Sequence, residues 1–169
     1  MYLTLHAVVG AALARVVGTP GAGFVVGVGS HYALDAIPHG DEIVARWVKM
    51  KPTKALAVGL VDLATLAVAM TIMVTMRTDR ALLVWGAVGS LLPDLVSNIV
   101  PFVHRNVFRT RVLERLQRAL GRSFLAALHR WHNRLHYGLH NPFKIRLSFV
   151  TGVVFQTITS IAILVGLLG

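Results

Sequence analysis

The chain has 169 residues, of which 55% are hydrophobic and only 14% charged, whereas soluble domains carry about 25% charged residues, so its composition indicates a membrane protein. The absence of cysteine excludes disulfides and thiolate ligands, and any metal site must therefore be built from His, Asp, Glu or backbone groups. The net charge of +10 makes the placement of Lys and Arg along the chain informative about orientation.

Five hydrophobic segments are predicted to be helices. They are residues 2–18, 22–37, 54–76, 81–103 and 146–168. The last three reach the length of about 20 residues that a bilayer core requires, the fourth with a break at Pro93. The first two are short for a full crossing and are joined by a turn at 19–23, so we expect a tilted or re-entrant hairpin.

Two basic connections orient these segments. Residues 39–54 carry four Lys or Arg residues and residues 104–145 carry nine. The positive-inside rule places both connections in the cytoplasm. Arg15 is the one charge that does not fit this orientation.

Residues 105–137 carry apolar residues at spacings of three and four between arginines, a pattern typical of an amphipathic helix. We interpret it as a basic helix on the anionic inner leaflet, with lipid headgroups as its partners. Nucleic acid is the weaker interpretation, since the aromatic residues are not interleaved with the basic ones. The expected fold class is thus all-α: one membrane-embedded domain over 1–169, with about five hydrophobic helices and an interfacial helix. The sequence does not predict the oligomeric state.

The stretch SHYALDAIPHGD at 30–41 concentrates ligand types in an otherwise apolar region. His31 and Asp35 are four residues apart and share one helix face. Pro38 disfavours helix at the preceding residue, so the chain can turn and bring His39 and Asp41 back toward that face. Taken alone, such a pair is more often hydrogen-bonded than metal-bound.

Depth in the membrane strengthens the metal interpretation. The orientation argued from Lys and Arg places six ligand candidates in the cytoplasmic half of the bundle: His6, His31, Asp35, His39, Asp62 and Asp94. Carboxylates at that depth need a partner, water or an ion. Alternatively, Asp62 pairs with a buried Ser, Thr or His, and Asp94 caps the backbone freed by Pro93.

A late cluster, HRWHNRLHYGLH, spaces four histidines along one helical stripe: His129, His132, His136 and His140. His132 and His136 form a common two-ligand arrangement. A helix at the headgroup interface tolerates His equally well, so a structural role stays open.

His6 with Gly10, SHYALDAIPHGD, Gly-Ser-Leu-Leu-Pro-Asp at 89–94 and the late His-rich helix together resemble the bacterial membrane-bound metal-dependent hydrolases. These are small inner-membrane proteins, distantly similar to zinc-dependent phospholipase C and single-strand nucleases. The resemblance implies a metal site formed by His6, His31, Asp35, His39 and Asp94. Many relatives carry His-Arg-Gly-x-Thr-His-Ser, and the nearest segment here, 129–136, departs from it.

The resulting hypothesis is a hydrolase acting on a phosphoester of a lipid headgroup with a divalent metal, Zn²⁺ before Mn²⁺ or Fe²⁺. Asp41 or Asp62 would accept the proton, Arg130 and Arg134 would bind phosphate oxygens, and His132 and His136 complete the catalytic candidates. The alternative is a non-enzymatic membrane protein in which the same residues hold a structural ion or pass an ion or proton. A basic tether for DNA or a regulatory protein would leave the acidic residues unexplained.

Overall fold

The computed structural model describes residues 2–40, 42–99, 124–139, 145 and 147–169. Within them every element is helical: α1 (Leu3–Val17), α2 (Pro20–Asp35), α3 (Glu42–Met50), α4 (Pro52–Met76), α5 (Arg80–Asp94), α6 (Phe124–Leu139) and α7 (Phe149–Leu168). Five π-helical residues, Leu95–Ile99, continue α5. The all-α class is therefore confirmed for this part of the chain.

Among the described residues, three helical segments are long and apolar enough to cross a membrane: Pro52–Met76, Arg80–Ser97 and Phe149–Leu168. Helices α1 and α2 have 15 and 16 residues. At about 1.5 Å per residue they fall short of the roughly 30 Å of a hydrocarbon core. The membrane composition thus yields three spans by length, and the expected count of about five spans is not confirmed.

Two connections differ from the sequence expectation. The 39–54 connection contains a helix, α3, with Lys and Arg on one side and Val and Trp on the other. The sequence analysis does not predict this helix, because at nine residues it is too short for apolar length to identify it. In the predicted helix 105–137, residues 105–123 lie outside the described residues, and α6 covers the remainder and runs to Leu139.

Glycine, threonine and proline fix the α1–α2 turn. Gly18 ends α1 with a φ of 75°, a left-handed conformation that side chains other than glycine rarely adopt. The Thr19 hydroxyl accepts a hydrogen bond from the Ala22 amide, and Pro20 occupies the first turn of α2. The observed turn is therefore shorter than the predicted turn at 19–23, because α2 already begins at Pro20.

Helices α1, α2 and α5 form the central unit of the fold, in which glycines bring the backbones into contact. A Cβ added at Gly86 would overlap the Gly10 carbonyl oxygen, and one added at Gly27 would overlap the Gly86 carbonyl oxygen. Each helix carries small residues four apart: Gly10 and Ala14, Gly23 and Gly27, Gly86 and Ser90. This spacing is the pattern by which membrane helices approach closely.

Polar contacts fix both ends of α1 against the spans. At its start, the Asp62 carboxylate of α4 accepts hydrogen bonds from the Leu3 and Thr4 amides at 2.8 and 3.2 Å. At its end, Arg15 lies 2.9 Å from Asp79 in the α4–α5 loop and donates to the Leu167 carbonyl. Helix α1 therefore runs beside the second half of α4. Arg15, the one charge that did not fit the orientation argued from Lys and Arg, is paired with Asp79.

Candidate metal centre

The central unit brings His6 of α1, His31 of α2 and Asp94 of α5 together. One ligand atom from each lies within 4.8 Å of the other two. Both imidazoles are fully buried and Asp94 is half-buried. Ligands of a tetrahedral ion at about 2.1 Å are roughly 3.4 Å apart, so small side-chain shifts would let these three hold one cation.

Asp35 lies against both imidazoles. Its Oδ1 is 3.3 Å from His6 Nε2 and its Oδ2 is 3.1 Å from His31 Nε2. The two rings stack with centroids 4.2 Å apart. The carboxylate is 1% exposed, so it stands in a site with little water to solvate a charge.

The backbone of α5 orients His31. Its Nδ1 lies 2.8 Å from the Ser90 carbonyl oxygen, and the Ser90 hydroxyl donates to the His6 carbonyl at 2.7 Å. A carbonyl oxygen only accepts, so His31 Nδ1 carries the hydrogen, and its Nε2 faces Asp35. Metal-bound histidines typically hold their second nitrogen in this way.

His39 is buried beside the turn after α2. Its Nδ1 donates to the Ile37 carbonyl at 2.5 Å, and its own carbonyl accepts from Gln156 of α7 at 3.1 Å. Pro38 does end α2 early, as the sequence suggests, and Gly40 follows with a φ of 73°. Within the described chain, His39 does not belong to the group formed by His6, His31 and Asp94.

The Asp62 carboxylate is engaged at the start of α1. Besides the two amides of α1, its Oδ1 accepts from the Thr4 hydroxyl at 2.7 Å, and the Thr4 hydroxyl also contacts its backbone carbonyl at 3.1 Å. Both carboxylate oxygens thus cap the N-terminus of α1. This matches the structural alternative considered for Asp62, pairing with a buried Thr.

Among the described side chains of the late cluster, His132 contacts a neighbour of the site. His132 of α6 is buried, with Nδ1 2.5 Å from the Tyr32 hydroxyl. The Tyr32 ring stands edge-on to His31 at 5.5 Å. Arg130 and Arg134 are exposed on the same helix. The proposed roles of Asp41 and of the His136 side chain fall outside what the structure describes.

Three residues that contact the candidate ligands were not predicted as part of the site: Ser90, Tyr32 and Gln156. Ser90 stands four residues after Gly86, and this small-residue spacing is a signal for close helix contact. Tyr32 directly follows His31. Gln156 is 3% exposed in an otherwise apolar span, and a lone amide at that depth signals a hydrogen-bonded partner.

The donor set fits a divalent cation. Imidazole nitrogen with carboxylate oxygen suits Zn²⁺, Mn²⁺ or Fe²⁺. His6 Nδ1 is buried and makes no hydrogen bond to any described residue, which is unusual for a polar atom in a protein interior. This nitrogen is therefore a candidate ligand atom.

Comparisons with known proteins do not assign this chain to a family. No family model, curated protein or solved structure matches the chain. The resemblance to membrane-bound metal-dependent hydrolases therefore depends on the sequence motifs alone.

Proposed function

We propose that this chain is a membrane-bound metal-dependent hydrolase that acts on a phosphoester at the membrane surface. The observation that carries the proposal is the group of His6, His31 and Asp94, drawn from three helices to within 4.8 Å. Three protein ligands leave coordination positions open, which is the arrangement of catalytic rather than structural zinc sites.

His6, His31 and Asp94 would hold the ion, with Asp35 and His39 as further ligand candidates. A divalent cation bound there lowers the pKa of water to about 7 and so supplies a nucleophile at neutral pH. Asp35 contacts both imidazoles and fixes their orientation. With Asp62 engaged at the start of α1, Asp35 is also the described carboxylate best placed to accept a proton beside the imidazoles.

The basic residues of α6 support an anionic substrate. Arg130 and Arg134 are exposed on α6, and the buried His132 of that helix contacts Tyr32 beside His31. A guanidinium binds phosphate oxygens in a bidentate manner. We infer a phosphoester of lipid-headgroup type, in an inner-membrane protein whose basic segments, α3 and α6, face the cytoplasm.

Metal analysis of the detergent-purified protein is the first test. Wild type should carry a stoichiometric divalent metal, and Asp94→Asn and His31→Ala should lose it while keeping wild-type helix content. Asp79→Asn, a matched carboxylate change in the α4–α5 loop, should retain it. Wild type without stoichiometric metal after zinc addition would refute the metal site.

Hydrolysis is the second test. The metal-loaded protein in vesicles should release headgroup phosphate from at least one member of a phospholipid panel, and Asp35→Asn should lower the rate by about 10²-fold or more, the range for removal of a general base. A metal-loaded protein inactive on the whole panel would exclude this enzymatic function while leaving metal binding intact.

A structural ion is the second candidate, favoured by the burial of the site. His6 and His31 are 0% exposed and Asp35 is 1% exposed, and closed sites of this kind often serve folding. In that case, the removal of metal with a chelator would unfold the central unit. An open catalytic site would instead lose its metal with helix content and monodispersity preserved.

A further inference from the structure

A second site, separate from the histidine cluster, lies between α4 and α7. Because α1 begins only beside Asp62, residues 52–61 of α4 extend past its start. A groove of about 420 Å³ lies between residues 57–65 of α4 and residues 149–161 of α7, and Tyr2 also lines it. This volume falls within the roughly 300–1,000 Å³ typical of ligand pockets.

The groove is apolar even where its lining residues are polar, because their polar atoms bond elsewhere. The Thr65 hydroxyl donates to the Val61 carbonyl at 2.8 Å. Gln156 donates to the His39 carbonyl and accepts from the Tyr2 amide. The Asp62 carboxylate caps α1. The surface left to a ligand is therefore mostly hydrocarbon.

A positive charge stands at one end of this apolar surface. Lys54 is exposed in the first turn of α4, and the lining residues Ala57, Val58 and Val61 follow it by three, four and seven positions, so all four share one helix face. Trp47 of α3 packs against Phe149 at the same end, with ring centroids 5.0 Å apart. Tryptophan prefers the level of lipid headgroups.

We propose that this groove binds one acyl chain of a phospholipid, with the lipid phosphate at Lys54. The two helices that form it are the most exposed of the spans, with 11% and 17% of their apolar windows buried, so a bilayer presents acyl chains to both. An apolar channel with a cation at the headgroup level complements the two parts of an anionic lipid. This binding site does not depend on the proposed hydrolase.

Photo-crosslinking tests the position of the chain in the unmodified protein. The wild type is reconstituted in phosphatidylcholine vesicles containing phosphatidylglycerol with a photoactivatable acyl chain. Adducts should concentrate on Val58 and Val153, which line the groove and are only partly exposed. Adducts spread evenly over outward residues such as Ile158 and Val165, both more than 60% exposed, would overturn the proposal.

A pair of neighbouring variants tests the groove itself. Val153→Trp fills it, whereas Val154→Trp places the same ring at a 49% exposed position that does not line it. Native mass spectrometry of the detergent-purified proteins should show retained phospholipid in the wild type and Val154→Trp, and about tenfold lower occupancy in Val153→Trp. Equal occupancy in both variants would contradict the proposal.

The headgroup end has its own matched pair. Lys54→Gln should reduce the preference for phosphatidylglycerol over phosphatidylcholine severalfold, while Lys49→Gln, an equally exposed position on α3, should leave it near that of the wild type. An equal loss in both variants would show general surface attraction instead of a phosphate site at Lys54.

Discussion

Two regions of the molecule use apolar residues differently. The central unit of α1, α2 and α5 packs its helices closely, whereas the outer pair of α4 and α7 exposes its apolar side chains. In the central unit, small residues bring backbones into contact and the buried side chains include His6, His31 and Asp35. In the outer pair, large aliphatic side chains are mostly exposed. The difference teaches that chemistry and close packing are concentrated where the two short helices, α1 and α2, meet α5, while α4 and α7 supply the surface toward lipid.

The largest effect that would separate the two regions is expected from glycine substitution. Gly86→Ala places a methyl group against the Gly10 carbonyl oxygen and 2.6 Å from Ala14 Cβ, so the central unit must move apart. We expect a loss of about 3 kcal/mol or more in the free energy of unfolding, at the upper end for overpacking. Gly59→Ala on α4 meets nothing within 4 Å and should change it by less than about 0.5 kcal/mol. Denaturant titration in micelles measures both, and similar values would refute the comparison.

Metal linkage is expected to have the next largest effect. Zinc at 100 times its dissociation constant should stabilise the wild type by about 2.7 kcal/mol, because the ion binds only the folded cluster. Thermal unfolding with zinc and with chelator measures this difference. Asp94→Asn should abolish the difference and Asp79→Asn should keep it. Stabilisation that persists in Asp94→Asn would place the zinc at another site.

Asp62 joins the outer pair to the central unit, and its removal sharpens the comparison. Asp62→Ala leaves the Leu3 and Thr4 amides without their acceptor and should cost about 1–2 kcal/mol, as loss of a helix cap does. Thr65→Ala, one turn along α4, removes a hydroxyl that bonds only to its own helix at Val61 and should have an effect near zero. Denaturant titration compares the two, and equal losses would argue against the cap.

The smallest expected effect concerns the α4–α5 loop. Partial burial by itself raises the pKa of Asp79, but hydrogen bonds from Arg77 and the backbone and the charges of Arg77 and Arg15 outweigh it, so the pKa lies below its usual 3.8. A lowered pKa in the folded state stabilises the protein above the unfolded pKa and ceases to do so as the pH falls through the folded pKa.

Asp79→Asn should accordingly cost about 0.5 kcal/mol at pH 7, since the group is partly exposed, and the difference from wild type should be lost as the pH falls through the lowered folded-state pKa of Asp79. Unfolding measured across this pH range checks the sign. A difference that grows in acid would contradict the ion pairs with Arg15 and Arg77.

Much of the fold follows from local sequence patterns. Apolar length predicts α4 and α7 to within three residues of their observed starts, Pro38 predicts the end of α2, and the i, i+4 spacing predicts that His31 and Asp35 share a face. These signals lie within one helix or one turn, so they need no knowledge of the neighbouring helices.

What sequence could not supply is the register between helices. The approach of His6, His31 and Asp94 is visible only once Gly10, Gly27 and Gly86 bring three backbones together. The register of α1 against α4 likewise decides that Asp62 binds the start of α1 and not the histidine cluster. The metal itself, its substrate and the role of His132 stay predictions.

The cap on α1 also constrains the order in which the protein can be made. The amides of Leu3 and Thr4 leave the ribosome before their acceptor, Asp62, which is synthesised almost sixty residues later. Unsatisfied amides are costly in hydrocarbon, so α1 cannot settle at its final depth before α4 is inserted. Assembly of the histidine cluster, which needs α5 as well, is therefore a late event in biogenesis.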